Sequence, residues 1–207
     1  MPKRSLALKI AVVVLSAIPA INLVQSLERI NPHYIRAYDY RVFPLAITNT
    51  GTWAFVFLFI TLACTPLQRL TGYRWIGGLR RTFGLITFFY SMLHFAAYFV
   101  VGQKFHTEYL IPDALGRKSR IPGWISLAIL TALAATSTDA AVRWMGGKRW
   151  KVLHRLVYVA AALAILHVAG TEAEYLNPDW HWTRSVTAPF VILMAARLLP
   201  FRRPTRA

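Results

Sequence analysis

Six apolar stretches, at about 8–24, 46–67, 83–101, 122–138, 152–170 and 186–199, constrain this chain more than any other feature. Most approach the ~20 residues that carry an α-helix across a bilayer at ~1.5 Å per residue. Water is absent from the hydrocarbon region, so each stretch must satisfy its own backbone hydrogen bonds, which a helix does within the segment. The sequence therefore predicts an all-α integral membrane protein, a bundle of six transmembrane helices. With 56% of its 207 residues hydrophobic and only 15% charged, the chain is far from the average soluble domain. No window reads as a soluble catalytic domain, so chemistry must sit in the bundle or at its mouths. No internal repeat or domain boundary is visible, and 1–207 reads as one domain.

The breaks are local. Pro66, Gly72, Gly77, Gly78, Pro112, Gly116, Pro122, Gly123, Gly146, Gly147 and Pro178 fall between apolar runs and read as turn residues. The first stretch has a rival reading as a cleavable signal peptide, because Met1-Pro-Lys-Arg precedes it and small residues close it at Ser16–Ala20. An uncleaved span better suits an even count, and Pro19 is tolerable in a membrane helix.

Charge orients the helices. With both termini cytoplasmic, the inner segments hold most of the 24 Lys and Arg, among them Arg80, Arg81, Arg149 and Arg155, against one acid, Asp139. The outer loops hold eight bases against seven acids. That asymmetry is what the positive-inside rule requires. The bases flank apolar spans instead of forming a compact patch, so membrane lipid, and not nucleic acid, is the partner they imply. Aromatic residues gather at both ends, with Tyr109, Trp124, Tyr175, Trp180 and Trp182 outside and Tyr73, Trp75, Trp144 and Trp150 inside, as interfacial belts do.

Against this background three histidines stand out: His94 in the third run, His154 and His167 in the fifth. An unpartnered polar group in the bilayer costs several kcal/mol, so an intramembrane imidazole marks a functional site by default. Neutral imidazoles on packed helices suit heme iron, which takes axial histidines from either side of the porphyrin. Cys64 is the only cysteine, so redox work needs a borrowed cofactor.

Depth orders the three. Counting ~1.5 Å per residue from the cytoplasmic ends of the spans puts His94 at ~16 Å, His167 at ~22 Å and His154 at ~3 Å. His94 and His167 form the natural pair for one heme. His154, ~20 Å below His167, suits a second heme beneath the first, although thirteen residues turn an ideal helix by about 220° and the opposite ligand falls on Arg80 or Arg81. The competing reading for each is an imidazole that merely hydrogen-bonds a hydroxyl or carbonyl. His33, His106 and His181 lie in outer loops and read as solvated.

Ala160, Ala161, Ala162, Ala164 and Gly170 thin the fifth helix, while Phe88, Phe89, Tyr90, Phe95, Tyr98 and Phe99 crowd the third. Such small residues admit a flat macrocycle or close helix packing alike. Arg80, Arg81, Arg149 and Arg155 are placed to pair with heme propionates, a flavin phosphate or a quinone headgroup. No dinucleotide fingerprint is present, so electrons must come from a membrane quinol or a separate flavoprotein.

The string Gly78-Leu-Arg-Arg-Thr-Phe-Gly-Leu85, His94, the Thr136-Ser-Thr-Asp139 turn and Gly147-Lys-Arg-Trp-Lys-Val-Leu-His-Arg-Leu-Val-Tyr158 together resemble the MsrQ (YedZ) family. These are the heme-binding membrane subunits of the bacterial periplasmic methionine sulfoxide reductase system, similar to the ferric reductase transmembrane domain group. The resemblance implies b-type heme, one or two, with His94, His154 and His167 as iron ligands, and flavin mononucleotide (FMN) as a further cofactor. It implies electrons passing from the quinol pool, or from a cytosolic flavin reductase, across the bacterial inner membrane. Their destination would be a periplasmic molybdenum-containing, MsrP-like catalytic subunit that repairs oxidised methionines; the chain itself would hold no methionine sulfoxide site. Arg80 and Arg81 depart from the four-histidine members of the wider group. Two other classes compete: a heme b quinol oxidoreductase or anchor subunit of another redox complex, and a transporter or assembly protein without heme.

Overall fold

The structure is a computed structural model that describes residues 3–29, 35–174 and 188–193, and regular structure among them is entirely helical. In chain order the helices are α1 (Lys3–Ser16), α2 (Ile18–Glu28), α3 (Ile35–Thr71), α4 (Arg74–Ala97), α5 (Leu110–Gly116), α6 (Arg120–Ala135), α7 (Asp139–Met145), α8 (Gly147–His154) and α9 (Val157–Glu174). Among the described residues four stretches are long and apolar enough to cross a membrane: Leu6–Glu28, Pro44–Thr71, Arg74–Gly102 and Gly147–Thr171. A fifth exists if α6 and α7, bent by 93°, count as one span. The chain is a multi-pass membrane protein. Of the sixth expected span, 186–199, only 188–193 is described, and it is helical.

Several residues expected to break helices do not. Pro66 lies within α3, Gly77 and Gly78 within α4, Pro112 within α5, and Pro122 with Gly123 in the first turn of α6. Proline is cheap in a first turn, where its missing N–H would have no partner. The true breaks are Gly72 and Gly146, at φ +73° and +74°, a backbone that glycine adopts without steric cost. The fourth expected span, 122–138, stops early: α6 ends at Ala135, and α7 starts from a Thr138 cap whose hydroxyl accepts the Ala141 N–H at 3.1 Å.

Two compact units are distinguishable. The first draws on Met1–Thr61 and Gly78–Leu110. Its core is Phe57, Ile86 and Tyr90, packed by Trp53, Ala54, Phe83 and Leu93 and also by Val12 and Ala20 of the first span. The Phe57 ring lies 5.2 Å from that of Tyr90 and 5.8 Å from Trp53, within the range of favourable aromatic pairs. Tyr90 donates its hydroxyl to the Ser16 carbonyl at 2.5 Å. Pro19, three residues on, lacks the N–H that would continue the helical ladder to the neighbouring Leu15 carbonyl. The first span is thereby part of this unit's core.

The second unit draws on Leu62–Gly77 and Ile111–Ala207. Its centre is α6 against α9: Ala160 and Ala161 are 0% and 1% exposed, and Ser126 donates to the Ala160 carbonyl at 3.0 Å. Leu130, Leu133 and Val157 complete the buried contact. Small residues let the backbones approach in a membrane, where apolar burial gives no helix–helix drive. Asp113 forms an ion pair with Arg120, and Arg117 lies 3.8 Å from it, which ties α5 to the start of α6.

Candidate functional site

His94 stands near the end of α4 and meets α3. Its Nδ1 lies 2.9 Å from the Ile47 carbonyl. A carbonyl only accepts, so the imidazole must donate Nδ1–H there; when neutral, its lone pair is on Nε2. The ring abuts Gly51, where an added Cβ would come within 2.9 Å of both Cε1 and Nδ1. Four residues beyond His94, the helix widens into a π-turn at Tyr98–Gly102, a feature common at functional sites.

His167 repeats the arrangement in the second unit. Its Nδ1 donates to the Ser119 carbonyl at 2.8 Å, and its ring lies on Gly123, where a Cβ would stand 2.9 Å from Nδ1. Gly170, one turn further along α9, lets that helix close on Ser119: a Cβ at 170 would be 2.7 Å from the Ser119 Cβ. Metal-bound histidines characteristically donate their second ring N–H to a carbonyl or carboxylate, which fixes the ring and its tautomer. Both His94 and His167 meet that description.

His154 is bonded through the other nitrogen. Its Nε2 lies 3.2 Å from Thr136 Oγ1, while Thr136 gives its own proton to the Ala132 carbonyl at 2.8 Å. His154 is therefore the donor, and its proton is on Nε2. Trp150 stacks on the ring with centroids 4.0 Å apart and donates Nε1–H to the Thr136 carbonyl at 2.9 Å. The expected divergence of His154 and His167 around their helix is reduced by a tight turn between α8 and α9. There Arg155, Leu156 and Tyr158 bond three residues back, to Val152, Leu153 and Arg155. Three such steps add about 20° each, so the offset closes from about 140° to about 80°. Both imidazoles meet α6 or its flanks, His167 at the start and His154 at the end, with acceptors 17 residues, or about 25 Å, apart.

The remaining candidates are arranged as follows. Arg81, Arg149 and Arg155 are exposed and Arg80 is half-buried, so the first three meet solvent or headgroups. His106 is exposed and bonds Glu108 through Nδ1 at 2.7 Å. The Glu108 carboxyl is held below the ordinary glutamate range by its own backbone N–H first and by His106 second. His33, His181, Tyr175, Trp180 and Trp182 lie outside the described residues. Tyr73, Trp75, Tyr109 and Trp144 are exposed. Ala160 and Ala161 are used in packing against α6, and Phe95 stacks on Phe99 at 6.3 Å.

Sequence reasoning missed Gly51, Gly123, Ile47, Ser119 and Thr136. The Ile47 and Ser119 contacts are made by backbone carbonyls, which leave no trace in residue type. Gly51 did leave one, since it lies inside the apolar run 46–67 and not between runs. Among the described residues no three of His, Cys, Asp and Glu converge on one point.

The family model described as "Ferric reductase like transmembrane component" matches residues 50–165. That range takes in Gly51, His94, Gly123 and His154 and ends two residues before His167. The protein-methionine-sulfoxide reductase heme-binding subunit MsrQ of Ralstonia nicotianae is 42% identical over 169 residues, covering 80% of this chain and 74% of its own. The protein of that name from Azospira oryzae is 33% identical over 168 residues, or 80% of this chain and 69% of its own. The one from Herminiimonas arsenicoxydans is 46% identical over 119 residues, or 58% and 55%.

Proposed function

Because the chain belongs to the MsrQ family of heme-binding subunits, within the ferric reductase-like transmembrane group, we propose that it is a b-type cytochrome of the bacterial inner membrane. In this reading it passes electrons from the quinol pool, with FMN as a further carrier, to a periplasmic molybdenum-containing methionine sulfoxide reductase. One observation carries the heme assignment: His94 and His167 both donate Nδ1–H to a helix carbonyl, so each presents the Nε2 lone pair. A neutral imidazole that presents Nε2 has the donor a heme iron would take. Heme bound there supplies a one-electron carrier. His94 and His167 would hold it, their carbonyl partners fixing ring rotation and raising ligand basicity.

His154 is retained as ligand of a second heme. Its Nε2 must then release Thr136, a loss of about 1 kcal/mol for a membrane side-chain hydrogen bond. Arg80, Arg81, Arg149 and Arg155 are the cations offered to propionates or to the FMN phosphate. Both termini are cytoplasmic and six spans cross the bilayer in this reading, supported by the charge asymmetry of the loops.

The test is an absorption spectrum of the detergent-purified protein, oxidised and then dithionite-reduced. A Soret band that moves to longer wavelength on reduction is expected; its absence would overturn the heme assignment. In proteoliposomes, reduction by a quinol without added flavin reductase supports the quinol donor, and reduction that needs the reductase contradicts it.

A further inference from the structure

The two heme histidines lean on glycines in the same register, and nothing in the proposed chemistry uses that. His94 bonds the carbonyl of Ile47 and lies on Gly51; His167 bonds the carbonyl of Ser119 and lies on Gly123. In both, the glycine is four residues after the carbonyl. That spacing has a geometric reason: in an α-helix the carbonyl of residue i faces the N–H of residue i+4, so the side chain at i+4 stands beside it. A ring that reaches in to bond this carbonyl needs the space where that side chain would be. A carbonyl has two lone pairs and can take the imidazole in addition to the helix bond. The segments Ile47-Thr-Asn-Thr-Gly51 and Ser119-Arg-Ile-Pro-Gly123 share only the glycine.

We propose that Gly51 and Gly123 are positioning residues, each forming with the carbonyl four residues earlier a seat that sets the rotation of His94 or His167. The proposal rests on the reading of those histidines as heme ligands. A methyl at either glycine would lie 2.9 Å from ring atoms, closer than real contacts allow, so the ring must rotate or the helix retreat, and the Nδ1–H bond is lost. Among the other span glycines, a Cβ at Gly78 would meet nothing within 4 Å and one at Gly84 only Thr61 Cγ2 at 3.7 Å, while the close neighbours of Gly77 and Gly170 are Gln68 and Ser119 and not an imidazole.

The experiment compares Gly51→Ala and Gly123→Ala with Gly78→Ala and Gly84→Ala in the full chain, reading heme per polypeptide and the electron paramagnetic resonance of the ferric heme. Heme retention is expected to fall about 10- to 100-fold in the first two, as for loss of other outer partners of metal ligands, or the largest g value to shift where heme stays. The other two should match wild type. Wild-type heme content and g values in Gly51→Ala and Gly123→Ala would overturn the proposal. Absence of heme from the wild type would refute the functional reading instead. A double-mutant cycle serves without heme: Gly123→Ala should lower the thermal transition in the His167 protein and have no further effect in a His167→Ala background. An equal drop in both backgrounds would place the clash elsewhere and overturn the seat.

Discussion

His167 and Ser119 are joined by a 2.8 Å hydrogen bond in which the imidazole is the only possible donor. The bond determines which nitrogen is left for a metal, and His94 makes its counterpart with Ile47. His154 holds the opposite tautomer because its partner is a hydroxyl whose proton is already committed.

Heme should fill the sites in order. His94 and His167 are already in the ligating tautomer, whereas His154 must give up Thr136, so at limiting heme the His154 site stays empty. Titrating heme into apo-protein should give full development of the first spectrum before a second appears, and His154→Ala should retain the first and lose the second. Heme loss spread evenly over both signals in His154→Ala would contradict this order.

The α6–α9 contact should be intolerant of bulk. Ala160 is fully buried and Ser126 bonds its carbonyl, so Ala160→Leu forces the backbones apart at a cost of about 1–3 kcal/mol. Ser126→Ala removes one membrane hydrogen bond, worth about 0.6 kcal/mol. Thermal unfolding in detergent should rank wild type above Ser126→Ala above Ala160→Leu; a Leu variant as stable as wild type would mean the contact is loose.

Tyr90→Phe should weaken the hold on the first span. It keeps the ring against Phe57 but loses the donor to Ser16, for a net cost of about 1 kcal/mol. Proteolysis near Ala17 should be faster in the variant, and an unchanged rate would show that the bond does not secure the kink.

Glu108 supplies a pH dependence outside the spans. Its folded-state carboxyl titrates below the ordinary range, so the pair with His106 stabilises the loop above the unfolded-state pKa and this contribution fades as pH falls through the lowered folded value. In a carbon-13 NMR titration His106→Ala should raise the Glu108 midpoint part of the way, since the backbone donor remains. No movement would exclude His106 as a cause.

Much of the fold was legible because a bilayer leaves so few options. An apolar run near twenty residues becomes a helix whatever its prolines, which is why Pro66 and Pro122, read as turns, lie inside α3 and α6. Gly146 and Gly72 were legible as breaks, and only their positive φ shows why. The histidines were legible by their cost in a membrane. Their tautomers were not, because these depend on carbonyls and a hydroxyl from helices distant in sequence. The small residues at 160 and 161 were ambiguous between porphyrin and helix, and the close approach of α6 assigns them to the helix.

In the proposed function His94 and His167 hold heme through Nε2. The most direct measurement is the dithionite-reduced minus oxidised spectrum of His94→Ala and His167→Ala beside wild type, normalised to protein. Each substitution is expected to abolish the signal of the site filled first in the heme titration. Full wild-type signal in either variant would contradict it.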